Sequence, residues 1–213
     1  MLVFWKEKLV FLAVPKTGTT AIEGALAPMA TTKIIDPPIL KHSAWYRYNR
    51  FLRPYFEGIG GQELETMAVV REPIDWLGSW FRYRGREDLK GHANSTAEMS
   101  FDEFVLGYLK NKRPPSSDVG SQAKFLGDEH GNCAVDHVFK YENRDEMVRF
   151  LEERLSTKIT LKTLNVSPKR EFSLSPGVEK RLRRKLSAEF EAWDQWPASL
   201  SPVSLCIRWI SQH

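Results

Sequence analysis

Apolar runs of strand length alternate along this chain with stretches of helical periodicity. Leu9 to Val14 is an unbroken apolar run, short enough for a buried strand. It leads into the turn Pro15-Lys16-Thr17-Gly18-Thr19-Thr20 and then the helix-favouring Ala21 to Leu26. Thr32 to Ile35 predicts a short second strand, closed by Asp36-Pro37-Pro38. Beyond it Trp45, Tyr48, Leu52 and Tyr55 recur at helical spacing, which predicts an amphipathic helix with its aromatics in the core. Thr66 to Val70 reads as a strand, and Pro73 suits the first turn of a helix carrying Trp76, Ser79, Trp80 and Tyr83 on one face. Residues 84–99 are polar and read as a loop. Ser100-Phe101-Asp102-Glu103 is a capping box ahead of an apolar face of Phe101, Phe104, Val105, Tyr108 and Leu109. Residues 111–120 form a second loop, followed by a short helix from Ser121 to Leu126. Asp136 to Tyr141 alternates like a strand, and Asn143 with Glu146 caps a helix from Arg144 to Leu155. Ile159 to Leu164 is short and alternating. Ser175-Pro176 opens one helix with Val178, Leu182, Leu186, Phe190 and Trp193 on a single face. Strands alternating with helices predict an α/β fold: a central, mostly parallel sheet covered on both faces.

Composition narrows the picture. With 213 residues, 42% of them hydrophobic, the chain has enough apolar material for one domain spanning 1–213. Lys+Arg 31 against Asp+Glu 27 is mildly basic, in keeping with an anionic ligand and too weak to argue for nucleic acid. Cys133 and Cys206 have no metal-type spacing and read as reduced thiols, with a disulfide left open. Lys6, Glu7 and Lys8 break the apolar N-terminus, which is too short for a secretory leader or a bilayer span. The expectation is a soluble, cytoplasmic protein.

The candidate chemistry lies in the first turn. A strand entering a Gly/Thr-rich turn and then a helix presents backbone N–H groups and the positive end of a helix dipole. Lys16 adds charge, Gly18 lets the backbone approach closely, and Thr17, Thr19 and Thr20 add hydroxyls. This is a phosphate or phosphosulfate cradle, weighed against an ordinary connection with a solvated lysine. It is not a Walker A loop, because Lys16 precedes its glycine. Arg71 follows a parallel-type strand and Ser79 lies eight residues on, in the next helix. Ligands of open α/β sheets bind outside the carboxyl ends of strands, so both features share one rim. Two anion subsites suit a ligand charged at two places.

At these residues the chain resembles a family. PKTGTT after the first strand, and REPIDWLGS with its Arg and Ser, look like the two nucleotide signatures of the sulfotransferases. The form is closest to the branch holding Golgi carbohydrate sulfotransferases and many bacterial enzymes. GSQAKFLG, HVFKYEN and LNVSPKR further along are similar in kind and order. The resemblance implies a P-loop-like three-layer sandwich, with 3′-phosphoadenosine 5′-phosphosulfate as donor, 3′,5′-ADP as product and no metal. It implies that Lys16 to Thr20 hold the 5′-phosphosulfate and that Arg71 and Ser79 hold the 3′-phosphate. By the same likeness, Lys169 or Arg170 closes over the nucleotide and Tyr141 lies near the base.

Transfer to a hydroxyl or amine needs a general base. His42, beyond the second strand and in a region where family members often have a Lys-His pair, is the candidate. Asp36 is the alternative. His92 and Gln122 are candidate acceptor contacts, while His137 reads as structural. A nucleotide-dependent kinase and a non-catalytic nucleotide binder are the rival readings. Sugar, lipid or small molecule, the acceptor is not written in the sequence.

Overall fold

The computed structural model describes residues 1–161 and 172–195. Lys169, Arg170, Cys206, the whole of LNVSPKR and the end of the Ile159 to Leu164 segment lie outside them, as does the tail from Trp196. The elements run β1 (Leu2–Phe4), β2 (Leu9–Leu12), α1 (Thr19–Leu26), β3 (Thr32–Lys33), α2 (Pro38–Lys41) and α3 (Trp45–Arg47). A π-helical turn, Tyr48–Leu52, joins α3 to α4 (Arg53–Gly60). Then come β4 (Glu65–Val70), α5 (Pro73–Arg84), α6 (Phe101–Tyr108), α7 (Gln122–Leu126), β5 (His137–Lys140), α8 (Arg144–Leu155), α9 (Pro176–Lys185) and α10 (Ser187–Gln195).

The five strands form one sheet in the order β3-β1-β2-β4-β5. β2, β4 and β5 are parallel, whereas β1 is antiparallel to both β2 and β3. The α/β class is as expected, but the sheet is mixed. The difference comes from residues 1–8, which form a hairpin with β2 rather than a loose end. Its turn is closed by the Lys8 N–H donating to the Trp5 carbonyl at 3.2 Å, with Lys8 at φ 52°. A lysine in the left-handed region carries no turn signal, so the hairpin is invisible to residue type.

Alternation along the strands divides two apolar faces. Val3, Val10, Leu12, Ala68 and Val70 pack with Tyr48, Phe125 and Leu126 on one side. Leu2, Phe4, Leu9, Phe11, Met67, Val69 and Phe139 pack with Ile22, Leu26, Met147 and Leu151 on the other. A third cluster joins Trp76, Leu77 and Phe81 of α5 to Phe101, Phe104 and Tyr108 of α6 and Leu182 of α9. The capping box at Ser100 and Glu103 forms as expected. Among the described residues, no helix is long and apolar enough to cross a membrane.

Three local expectations fail for identifiable reasons. The π turn inserts a residue into the helical repeat, so Phe56 packs inward and Tyr55 is exposed. The helix from Pro176 breaks at Leu186 (φ −116°, ψ 27°), and Trp193 reaches the sheet cluster instead of continuing the face of Leu182 and Phe190. The Asn143 amide donates to the Glu146 carboxylate at 2.7 Å rather than capping backbone, so the pair contacts itself.

Parallel strands lack a hairpin to fix their register, and here side chains do so. The Asp136 carboxylate accepts from both the N–H and the hydroxyl of Thr66, each at 2.7 Å. The Asp136 N–H in turn donates to the Thr66 oxygen at 3.1 Å. Asp136→Ala strips partners from a buried threonine and should cost about 2–3 kcal/mol in urea denaturation; a loss below about 0.5 kcal/mol would show that the β4–β5 register does not depend on it.

Candidate anion-binding site

The cradle is a turn locked from beneath. The Thr17 hydroxyl donates to the Val14 carbonyl at 2.9 Å, deep in the turn, and the Trp76 indole donates to the Pro15 carbonyl at 2.9 Å from α5. The Thr17 proton is therefore directed inward, and its role is to hold the turn. Lys16 and Gly18 both sit in the left-handed region, at φ 67° and 77°. No side chain caps α1 at Gly18, so its first N–H groups face the turn. Thr19 is buried and Thr20 exposed. A Cβ built on Gly18 would meet the Tyr141 ring at 3.0 Å, so the ring closes one wall of the cradle.

Lys16 lies among aromatics and cations. Its Nζ stands 3.9 Å from the centre of the Tyr83 ring and 5.6 Å from that of Trp80. Burial pulls its ammonium down from 10.5 to about 8, with Arg86, Arg71 and Arg82 adding repulsion in that order. The helical repeat places Trp80 and Tyr83 on one face of α5 but does not say what that face meets. The structure puts them beside the cradle, with Arg86 over Tyr83 at 4.8 Å and Arg84 over Trp80 at 5.4 Å. Sequence reasoning missed Arg82 and Arg86, whose signal was the density of arginine in residues 82–86 immediately after an aromatic face.

Arg71 is held at four points. Its Nε donates to Asp75 at 2.5 Å and its Nη1 to the Lys16 carbonyl at 3.3 Å, tying the end of β4 to the cradle. Its guanidinium lies 4.4 Å from the centre of the Tyr141 ring. The buried Gln122 amide accepts from the Arg71 N–H at 2.9 Å and donates to the Arg71 carbonyl at 2.8 Å. Both ends of that amide are thus committed to placing Arg71. Ser79 is buried within α5. Arg144 also lies over Tyr141, 4.2 Å from the ring centre, and donates to its hydroxyl.

His42 meets the same rim from α2. Its Nδ1 lies 2.7 Å from the Ala13 carbonyl, just past the end of β2. A carbonyl only accepts, so Nδ1 carries the proton and Nε2 keeps its lone pair. Burial lowers the His42 pKa below 6.5, which leaves the ring neutral at pH 7. Asp36 follows β3, two strands away from β2, and is exposed. His92 is exposed in the loop after α5, and His137 is bound to Glu65 at 2.9 Å. The site therefore joins Lys16, the turn, Arg71, Gln122 and Tyr141 directly, with His42 next to the strand that feeds the turn. No family model, curated protein or solved structure matches this chain.

Holding Lys16 charged in this setting costs stability. Between pH 8 and 10.5 the unfolded chain binds the proton that the folded chain has released, so stability rises with pH across that window. Lys16→Met should therefore stabilise the ligand-free protein by about 1–2 kcal/mol at neutral pH, once residual solvation is allowed for. The advantage should shrink as pH climbs from 8 toward 10.5 in parallel urea titrations; a pH-independent difference would show that Lys16 is not desolvated.

Proposed function

We propose that this chain is a sulfotransferase that moves the sulfuryl group of 3′-phosphoadenosine 5′-phosphosulfate to a hydroxyl or amine. The observation that carries the reading is the pairing of a desolvated Lys16 in an uncapped helix-entry turn with Arg71, linked to it by the hydrogen bond to the Lys16 carbonyl. Like charges gathered at one rim favour a ligand with anionic groups at more than one place. The P-loop-like sandwich and the sulfotransferase resemblance belong to the same proposal, supported by the β2–turn–α1 and β4–α5 units and by helices on both sheet faces.

In this scheme the donor supplies the sulfuryl group and a leaving phosphate oxygen. The turn 16–20 and the Lys16 ammonium stabilise charge on that oxygen, and Arg71 with Ser79 holds the second phosphate. Tyr141, in contact with both Arg71 and Arg144, is the candidate to lie near the base. Lys169 and Arg170 remain candidates for closing over the nucleotide. Nε2 of His42 takes the acceptor proton, with Nδ1–H anchored on Ala13 so that the ring does not turn. Asp36 stays the alternative base. The carboxylates that follow Arg71 are otherwise engaged: Glu72 accepts from the Asp75 N–H at 2.7 Å, and Asp75 pairs with Arg71 and Arg82. That leaves the kinase reading with no specific observation in its favour.

A thermal-shift titration separates the readings. 3′,5′-ADP without metal should raise the melting temperature, with Lys16→Ala and Arg71→Ala each abolishing the shift; a response only to ATP with magnesium would overturn the proposal. His42→Ala should retain the 3′,5′-ADP shift and lose at least about a hundredfold in transfer rate, the range of general-base catalysis. Because the folded His42 pKa lies below 6.5, the acid limb of kcat/KM should fall below that value; a limb above it would assign the base elsewhere.

A further inference from the structure

Large apolar side chains that are exposed fall, among the described residues, entirely within positions 29–59: Met29, Ile35, Ile39, Leu40, Tyr46, Phe51, Tyr55 and Ile59. Residues 45–60 explain the pattern. Their inner face is Trp45, Tyr48, Leu52 and Phe56, packed on the sheet. The π turn then aligns Tyr46 with Phe51 across five residues, and Tyr55 and Ile59 follow at four-residue steps. This helix is therefore apolar on two sides. Phe51, Tyr55 and Ile59 are 63%, 63% and 79% exposed. The stripe from Tyr46 to Ile59 runs roughly 20 Å, and Ile35, Ile39 and Leu40 lie on the segment before it. A contiguous apolar surface of this kind marks an interaction site.

Charge says what covers it. Residues 29–61 contain Lys33, Lys41, Arg47, Arg50 and Arg53 against Asp36 and Glu57. Arg53 pairs with Glu57 at 2.7 Å and Lys41 with Glu23 at 2.5 Å. Among the described residues, Lys33, Arg47 and Arg50 have no carboxylate in ion-pair range, which leaves three cations against Asp36. Two of them lie against the stripe itself, with Arg47 over Tyr46 and Arg50 over Phe51, each 5.4 Å from the ring centre. Aromatic and aliphatic side chains interleaved with arginines on one helix face suit the boundary between headgroups and acyl chains, where rings sink and guanidiniums stay with phosphates. We propose that the outer face of residues 35–59 docks the protein on an anionic lipid bilayer. None of the cradle's residues takes part, so this surface stands or falls apart from the sulfotransferase reading.

Vesicle flotation of the full chain tests it. The protein should float with phosphatidylcholine vesicles containing about 30% phosphatidylglycerol and bind pure phosphatidylcholine far more weakly. Salt at about 1 M, where the Debye length is about 3 Å, should release most of the charge-dependent part. The triple variant Phe51→Ser, Tyr55→Ser, Ile59→Ser should lose about a hundredfold in partitioning while keeping the wild-type melting temperature, since all three side chains are exposed. Arg47→Glu with Arg50→Glu should lose about tenfold or more on anionic vesicles and little on neutral ones, which keeps the test decisive should the triple variant misfold. Wild-type protein that stays unbound at every composition would overturn the proposal, as would full binding by the charge-reversed variant. A dimer seen by light scattering that the triple variant dissociates, without vesicle binding, would assign the face to a second copy of the chain instead.

Discussion

Asp75 is what lets several cations share one edge of the sheet. Its carboxylate lies 2.5 Å from Nε of Arg71 and 3.6 Å from Arg82, one oxygen to each. Arg71 in turn reaches the Lys16 carbonyl, and Trp76, one residue after Asp75, holds the Pro15 carbonyl. A single turn of α5 therefore sets both the position of the cradle and the charge around it. Asp75 stays partly in water, so the ion pair contributes only modestly to folding by itself. Its importance is geometric, because without it Arg71 would swing away from cations that repel it.

The aromatic residues of α5 solve a second problem. A lysine beside three arginines and partly out of water would normally extend toward solvent. The Tyr83 ring gives its ammonium a polarisable face at 3.9 Å, which offsets part of the lost hydration without adding a negative charge that an incoming anion would have to displace. The site is thus kept electropositive, with the cost of burial and like-charge repulsion concentrated on Lys16. Arg84 is excluded from this group although it lies on the same helix. Its guanidinium donates to the carbonyls of Pro115, Ser116 and Asp118 and fastens the loop before α7 to α5.

Much of this was legible where chemistry is local. The run Leu9–Val14, the turn and α1 follow from apolar length and residue type, and the β4–Arg71–Pro73 junction follows from the same rules, as does the Ser100–Glu103 box. What stayed hidden depends on long-range or conformational facts. β1 was missed because three charged residues separate it from β2 and its turn uses Lys8 in a conformation usually left to glycine or asparagine. Tyr55 was placed inside because a π turn is a one-residue insertion with no composition of its own. Gln122 suggested a contact with substrate, yet its amide is spent on the Arg71 backbone, a pairing between residues 51 apart that no spacing rule anticipates. Arg82 and Arg86 went unassigned because their proximity to Lys16 depends on how α5 lies beside the turn, which residue type does not give.

The glycine at the head of α1 carries a consequence beyond backbone freedom. Tyr141 touches the space a Cβ would occupy at position 18 and supports the Arg71 guanidinium on its ring. One phenol ring therefore touches the turn at position 18 and the Arg71 guanidinium at once, while Arg71 also reaches the turn directly through the Lys16 carbonyl, so that ring, arginine and turn brace one another like the legs of a tripod. Any side chain at position 18 would push the ring outward and loosen the seat it gives the arginine. The footing of that tripod is in this sense set by a missing methyl group.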